Sequence, residues 1–295
     1  MTSPQTVPTK LLYFGASEDG TAPFITPNSR NWTTEPHNVE VENVRGKESS
    51  FSLDTTGFAF GKHATAHTSF SNDEDIKREY YPESEELLKR VTGASRIHIF
   101  DHSTLLHRLS LCIVLTQYPA IRRRRLEPTE DTPETRQPVP LVHVDQTAKA
   151  SHDRVYNHIP NDAPELVKHR FQIINLWRPI GVPADDWPLA LCDFRSVDRK
   201  KDLVPITFRI PNRTGENFCV NHNVDHKWKY LKGMTPDEFV LIKWYLLLQY
   251  YRVHDAEFEL ASTRKTTGTR QCSLPTLLSS ILRLRPMLHL ASPSR

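Results

Sequence analysis

Phe171-Gln172-Ile173-Ile174-Asn175-Leu176-Trp177 is the stretch whose reading decides the fold. It is seven residues long and rich in β-branched and aromatic side chains, too short for a typical helix and well suited to a pleated strand. Three similar runs lie beyond it: Leu189–Cys192, Leu203–Ile210 and Phe218–Val220, each bounded by Pro, Asp or Asn. Short apolar runs punctuated in this way predict successive strands. Within the first run, alternation places Asn175 and Trp177 on one face and Arg178 on the other. That arrangement suits a core strand ending in an ion-paired arginine. It also suits a strand that turns Asn175 or Arg178 toward a bound small molecule.

Working outward, helices are few. Pro82–Val91 opens with acidic residues, closes with basic ones and stops at Gly93, in keeping with the macrodipole and C-cap rules. A short helix is expected from Ala163 to about His169. Another is expected from Thr235, where Thr235-Pro236-Asp237-Glu238 has the form of a capping box before Phe239–Tyr245. Arg96–Phe100 reads as a buried strand. Residues 1–50 read as an extended N-terminal arm with short strands at Leu11–Gly15 and Val39–Val44. Twenty-two prolines against ten glycines favour turns and edge strands over long helices. The expectation is one domain, 1–295, mainly β with flanking helices: a barrel or a double sheet.

Composition narrows the class. The chain is 38% hydrophobic and 25% charged, ordinary for a folded protein. Its net charge of +3 offers no strong field for nucleic acid or acidic lipid. Cys112, Cys192, Cys219 and Cys272 show no CxxC spacing, which favours reduced thiols over a zinc ribbon or a disulfide framework. No run reaches the roughly 18 apolar residues of a spanning helix, and Met1–Leu12 lacks the apolar centre of a signal peptide. A soluble, cytoplasmic protein is expected.

The sharpest chemical feature is Leu141-Val142-His143-Val144-Asp145-Gln146-Thr147. Strand alternation puts His143 and Asp145 on the same side of the chain. An imidazole and a carboxylate two apart can chelate one metal ion, and a distant second histidine would complete a 2-His-1-carboxylate triad with open positions. The same residues would also suit a zinc-dependent hydrolase. A solvated loop pair is the alternative without chemistry.

Longer strings extend this reading. His143–Thr147 (HVDQT), Arg154, Phe171–Ile180 (FQIINLWRPI), Trp187–Asp193 (WPLALCD), Ser196-Val197-Asp198 and Met234–Lys243 (MTPDEFVLIK) succeed one another in order. Upstream stand Val44-Arg45-Gly46-Lys47-Glu48, Phe51–Phe58 (FSLDTTGF), Tyr80-Tyr81-Pro82-Glu83 and Thr92–His102 (TGASRIHIFDH). Together they resemble the fungal hydroxylase/desaturase family that includes the gibberellin and aspergillic acid enzymes, from about residue 10 to residue 245. The resemblance implies a double-stranded β-helix (jelly-roll) core and an oxygenase dependent on Fe(II) and 2-oxoglutarate. It would act with dioxygen on a small molecule of fungal secondary metabolism.

The resemblance also implies His143 and Asp145 as the first two iron ligands. The distal ligand matches His254 most nearly, although the preceding proline of the family string is absent here. His226 and His222 are the competing histidines, read respectively as a packed residue and a surface residue. An arginine clamp for the distal carboxylate of 2-oxoglutarate corresponds to Arg270, with Arg264 as the fallback, and Asn175 and Arg178 are further candidates for cofactor contact. The chain departs from the family in two places. Leu105–Ile121 intervenes where relatives run on, as an apolar insertion or a retained short intron, and 271–295 reads as a divergent tail without regular structure. A degenerate member that binds without turnover is the rival reading.

Overall fold

The computed structural model describes residues 5–26, 29–70, 72–99, 139–210, 213–246 and 280–283. The N-terminal part supplies β1 (Thr6–Ser17), β2 (Phe24–Ile25), β3 (Trp32–Asn43) and β4 (Phe58–Lys62). A continuous helical segment comes next: α1 (Asp73–Asp75), a π turn (Ile76–Tyr80) and α2 (Tyr81–Thr92). Then come β5 (His143–Val144), α3 (Ala148–His158), α4 (Ala163–Leu166), β6 (Gln172–Trp177) and β7 (Leu189–Cys192). The last strands are β8 (Leu203–Ile210), β9 (Arg213–Val220), β10 (Trp228–Tyr230), β11 (Glu238–Leu246) and β12 (Ser280–Arg283).

The strands form two sheets. The larger runs β1-β3-β10-β7-β12-β5-β9-β8-β2 and the smaller β4-β11-β6. The larger one curls back on itself. Leu12 of β1 bridges Leu141, and Val142 N–H donates to the Leu12 carbonyl at 2.8 Å. The first strand in the sheet order therefore also holds the segment that runs into β5. Leu189 and Leu191 of β7 pack against Phe58, Val240 and Ile242 of the smaller sheet, so the two sheets share a core. This is the mainly β, jelly-roll architecture expected from the sequence.

The four runs that decided the fold are β6, β7, β8 and the end of β9. The residues read as an N-terminal arm are extended, and they are built into the large sheet. β1 and β3 pair antiparallel from Thr6↔Glu42 to Ser17↔Trp32, and Leu11, Tyr13 and Val41 are fully buried. The helix over Pro82–Val91 forms as α2. Gly93 ends it in the left-handed conformation at φ 68°, donating its N–H to the Lys89 carbonyl.

Several local expectations are corrected. The helix expected from Thr235 is strand β11, which pairs with β4 on one edge and β6 on the other. Its odd positions Phe239 and Leu241 pack on Leu87 and Leu88 of α2, while Val240 and Ile242 face the core. A strand buried on both faces shows no alternation, which is why its sequence mimics a helix. Half of the capping box forms, in a turn instead: Thr235 N–H donates to Glu238 Oε2, while Glu238 N–H donates to the Thr235 carbonyl and not to its hydroxyl, both at 2.9 Å. Residues 96–99 form no strand and pair with none among the described residues, and Arg96 bonds Asp162 at 2.7 Å. The helix at Ala163 ends at Leu166 and continues as turns to His169. Of the segment 271–295, Ser280–Arg283 forms β12 between β7 and β5. Leu105–Ile121 lies outside the described residues.

Gly61 of β4 lies directly under the Phe239 ring, where a Cβ would come within 2.3 Å of Cζ. Gly61→Ala is therefore expected to cost about 1–3 kcal/mol by overpacking. Urea unfolding of the two proteins measures it, and an unchanged midpoint would refute this account of the β4–β11 contact.

Candidate metal centre

Strand β5 is only two residues long, and its backbone is held from both sides. His143 pairs with Cys219 of β9 and with Ile281 of β12. Just beyond it, Thr147 N-caps α3: its hydroxyl accepts from Ala150 N–H at 3.1 Å and donates to Glu216 Oε2 at 2.7 Å. Gln146 and Thr147 are buried. His143-Val144-Asp145 thus spans a strand end and a helix start, both anchored to β9.

The two candidate ligands meet. His143 Nε2 lies 3.1 Å from Asp145 Oδ1, and both side chains are largely buried. His143 Nδ1 lies 2.8 Å from the Leu141 carbonyl, which can only accept. Nδ1 therefore carries a proton, and Nε2 presents its lone pair to a carboxylate oxygen. Two lone pairs at that distance repel unless a cation sits with them, a proton or a metal ion. The other carboxylate oxygen, Oδ2, accepts from Asn175 Nδ2 at 3.2 Å. The hydrogen-bonded half of each ligand faces the protein and the other half faces its partner, the pattern by which outer groups orient metal ligands. The mixed nitrogen and oxygen donors suit Fe(II). Cys219, opposite His143 on β9, is buried, and that burial pushes its thiol up to about 12.

The structure brings together three of the six residues singled out from the sequence: His143, Asp145 and Asn175. Arg178 is not with them. It lies on the opposite side of β6, donating to the His63 carbonyl at 3.3 Å with its guanidinium over the Tyr80 ring. His254, Arg270 and the fallback Arg264 lie outside the described residues. Among the described residues, no third His, Cys, Asp or Glu completes a metal cluster. His226 is packed, as expected, with Nε2 3.0 Å from Asp202 Oδ2. His222 is half-buried and stacks on His37 at 3.9 Å. Two positioning groups escaped the sequence reading. The Leu141 carbonyl has no side-chain signature, and Glu216 sits 69 residues from the threonine it holds. An apolar cleft between the two sheets is lined by Trp177, two residues beyond Asn175 on the same face of β6, with Leu189, Leu191 and Met234.

The fold is a jelly roll, and His143 and Asp145 form a candidate His-x-Asp metal half-site within it. A family model described as "Oxidoreductase/YMDC permease-like domain" matches residues 11–272. Hydroxylase/desaturase CTB9 of Cercospora beticola is 36% identical over 71% of this chain, which spans 65% of that relative's length. Hydroxylase/desaturase efuI of Hormonema carpetanum is 32% identical over 81% of this chain and 83% of the relative. The solved iron and alpha-ketoglutarate-dependent endoperoxidase NvfI superposes with a TM-score of 0.73 over 99% of this chain and 94% of its own, at 22% identity, a likeness of fold. The chain belongs to the fungal hydroxylase/desaturase family, as its ordered strings suggested. Among the described residues, no helix is long and apolar enough to cross a membrane.

If Asn175 orients Asp145, Asn175→Ala should weaken Fe(II) binding by about 10–100-fold while leaving the fold intact. Anaerobic equilibrium binding checks this, with circular dichroism as the control. Wild-type affinity in the variant would remove Asn175 from the site.

Proposed function

We propose that the protein is an Fe(II)/2-oxoglutarate-dependent oxygenase that hydroxylates or desaturates a small molecule of fungal secondary metabolism. The observation that carries this reading is the His143–Asp145 pair. Its two facing atoms are converged, largely buried and held by hydrogen bonds on their far sides. Fe(II) with 2-oxoglutarate and dioxygen supplies the oxidising power to remove hydrogen from an unactivated C–H bond.

The chain's own residues do the rest. His143 would hold the metal through Nε2, since the Leu141 carbonyl keeps the proton on Nδ1. Asp145 would hold it through Oδ1, since Asn175 occupies Oδ2. Thr147 and Glu216 hold the segment in place as it leaves the strand. His254 is our candidate for the third ligand and Arg270 for the carboxylate clamp, on the family string alone. Arg178, from its position, contributes to the packing of β6 on the helical segment. The names of the relatives support the reaction class, and the choice between hydroxylation and desaturation depends on the substrate.

The test is anaerobic Fe(II) titration of the purified protein with and without 2-oxoglutarate, monitored by visible absorption. A weak charge-transfer band that requires both components and disappears in His143→Ala is the expected outcome. A folded protein that gives no band under any combination would sink the proposal.

A further inference from the structure

Strand register decides which groups share a face with His143. His143 pairs with Cys219 of β9, and Cys219 with Val204 of β8. Cross-strand partners share a face, and so do residues two apart along one strand. Leu141, Ile206 and Phe208 therefore stand on the His143 side. Phe208 pairs with Ile25 of β2, and Ile25 bridges Arg30, so Arg30 stands on that side as well. Arg209, the residue after Phe208, stands on the other.

Packing links Arg30 to the candidate ligand. Trp32, at the start of β3, is buried in a cluster with Ile206 and Cys219, and the half-buried Phe14, Leu141 and Val204 pack against it. Cys219 and Leu141 flank His143, one across the ladder and the other two residues back along the chain. The Arg30 guanidinium lies over the Trp32 ring, 4.5 Å from its centroid. Burial raises the pKa of the Cys219 thiol and the positive charge of Arg30 works against that rise, so the field of the guanidinium reaches the residue paired with His143.

Both members of the stack lack a partner. Arg30 is exposed and makes no ion pair among the described residues. The indole N–H of Trp32 is buried and finds no acceptor there, although buried donors are bonded as a rule. A carboxylate set against the edge of the stack would accept from the guanidinium above and the indole below. Arg30 brings one positive charge to this cluster, which matches a carboxylate and falls short of a phosphate monoester with nearly two negative charges. Between Arg30 and His143 the face is apolar, through Phe14, Leu141 and Val204.

We propose that Arg30, stacked on Trp32, receives the carboxylate of the substrate, and that the substrate is an apolar carboxylic acid whose body lies along Leu141 and Val204 toward His143. This rests on the oxygenase reading above, which puts the reacting end of the substrate at His143. Arg30 is then a specificity-determining residue that selects acids over neutral molecules of the same shape.

The test is saturation-transfer NMR on metal-free, full-length protein with 1-naphthylacetate and 1-naphthylacetamide, probes that share an apolar body and differ in charge. Wild type is expected to bind the acid about 10-fold more tightly than the amide, the scale of a charge-assisted pair. Arg30→Ala should abolish that preference. Arg209→Ala should keep it, because Arg209 has the same kind of stack, 4.1 Å over Phe24, on the opposite face. Equal affinities in wild type, or a preference that survives Arg30→Ala or falls as far in Arg209→Ala, would overturn the proposal. Arg30→Gln keeps the stem over the ring and decides if Arg30→Ala does not fold. The iron titration separates this proposal from the oxygenase reading. A band with 2-oxoglutarate that appears in wild type and is lost in Arg30→Ala would make Arg30 a cosubstrate contact, and the substrate assignment would fall. An acid preference that needs Arg30, in a protein that gives no band, would discredit the oxygenase reading and leave the carboxylate site standing.

Discussion

The bond from His143 Nδ1 to the Leu141 carbonyl is the interaction on which the site depends. It is local, two residues along one strand, and it settles which nitrogen faces Asp145. Its geometry exists only because the backbone of residues 140–144 is held on both sides, by β1 upstream and by β9 and β12 at His143. A two-residue strand has almost no pairing energy of its own. It is an inserted piece in a sheet built by longer neighbours, above all the β1–β3 and β8–β9 ribbons. The chemistry is short-range and its support is long-range.

That division explains what could be read from the chain alone. The strands β6, β7 and β8 were legible because each is a short apolar run closed by Pro, Asp or Asn. The convergence of the two candidate ligands was legible because His143 and Asp145 share a face through strand alternation, and the same rule placed Asn175 opposite Arg178. The positioning of Asn175 against Asp145 Oδ2 bears out that alternation at atomic level. The role of Glu216 was not legible, since nothing in a sequence says which distant residue will lie beside a threonine.

The difference at Thr235 is equally physical. Turn and helix start share the bond from the Thr235 N–H to the Glu238 carboxylate, so the motif marks a change of direction without specifying the next element. Partners decide that element: β4 and β6 leave a gap one strand wide, and α2 covers it from outside. Phe239–Ile242 meets apolar groups on both faces and loses the period that would mark it as a strand. Lys243 shows how complete that burial is. It has no exposed surface, its amine reaches Asp54, and desolvation lowers its pKa.

The bridge between Leu12 and Leu141 has a consequence for how this protein is made. The first strand leaves the ribosome early, yet the segment it must hold emerges well over a hundred residues later. The metal strand therefore cannot be set until the two ends of that long loop have found each other, and iron taken up earlier would meet loose ligands. Deleting Thr6–Ser17 would remove the strand that holds the backbone of residues 140–142.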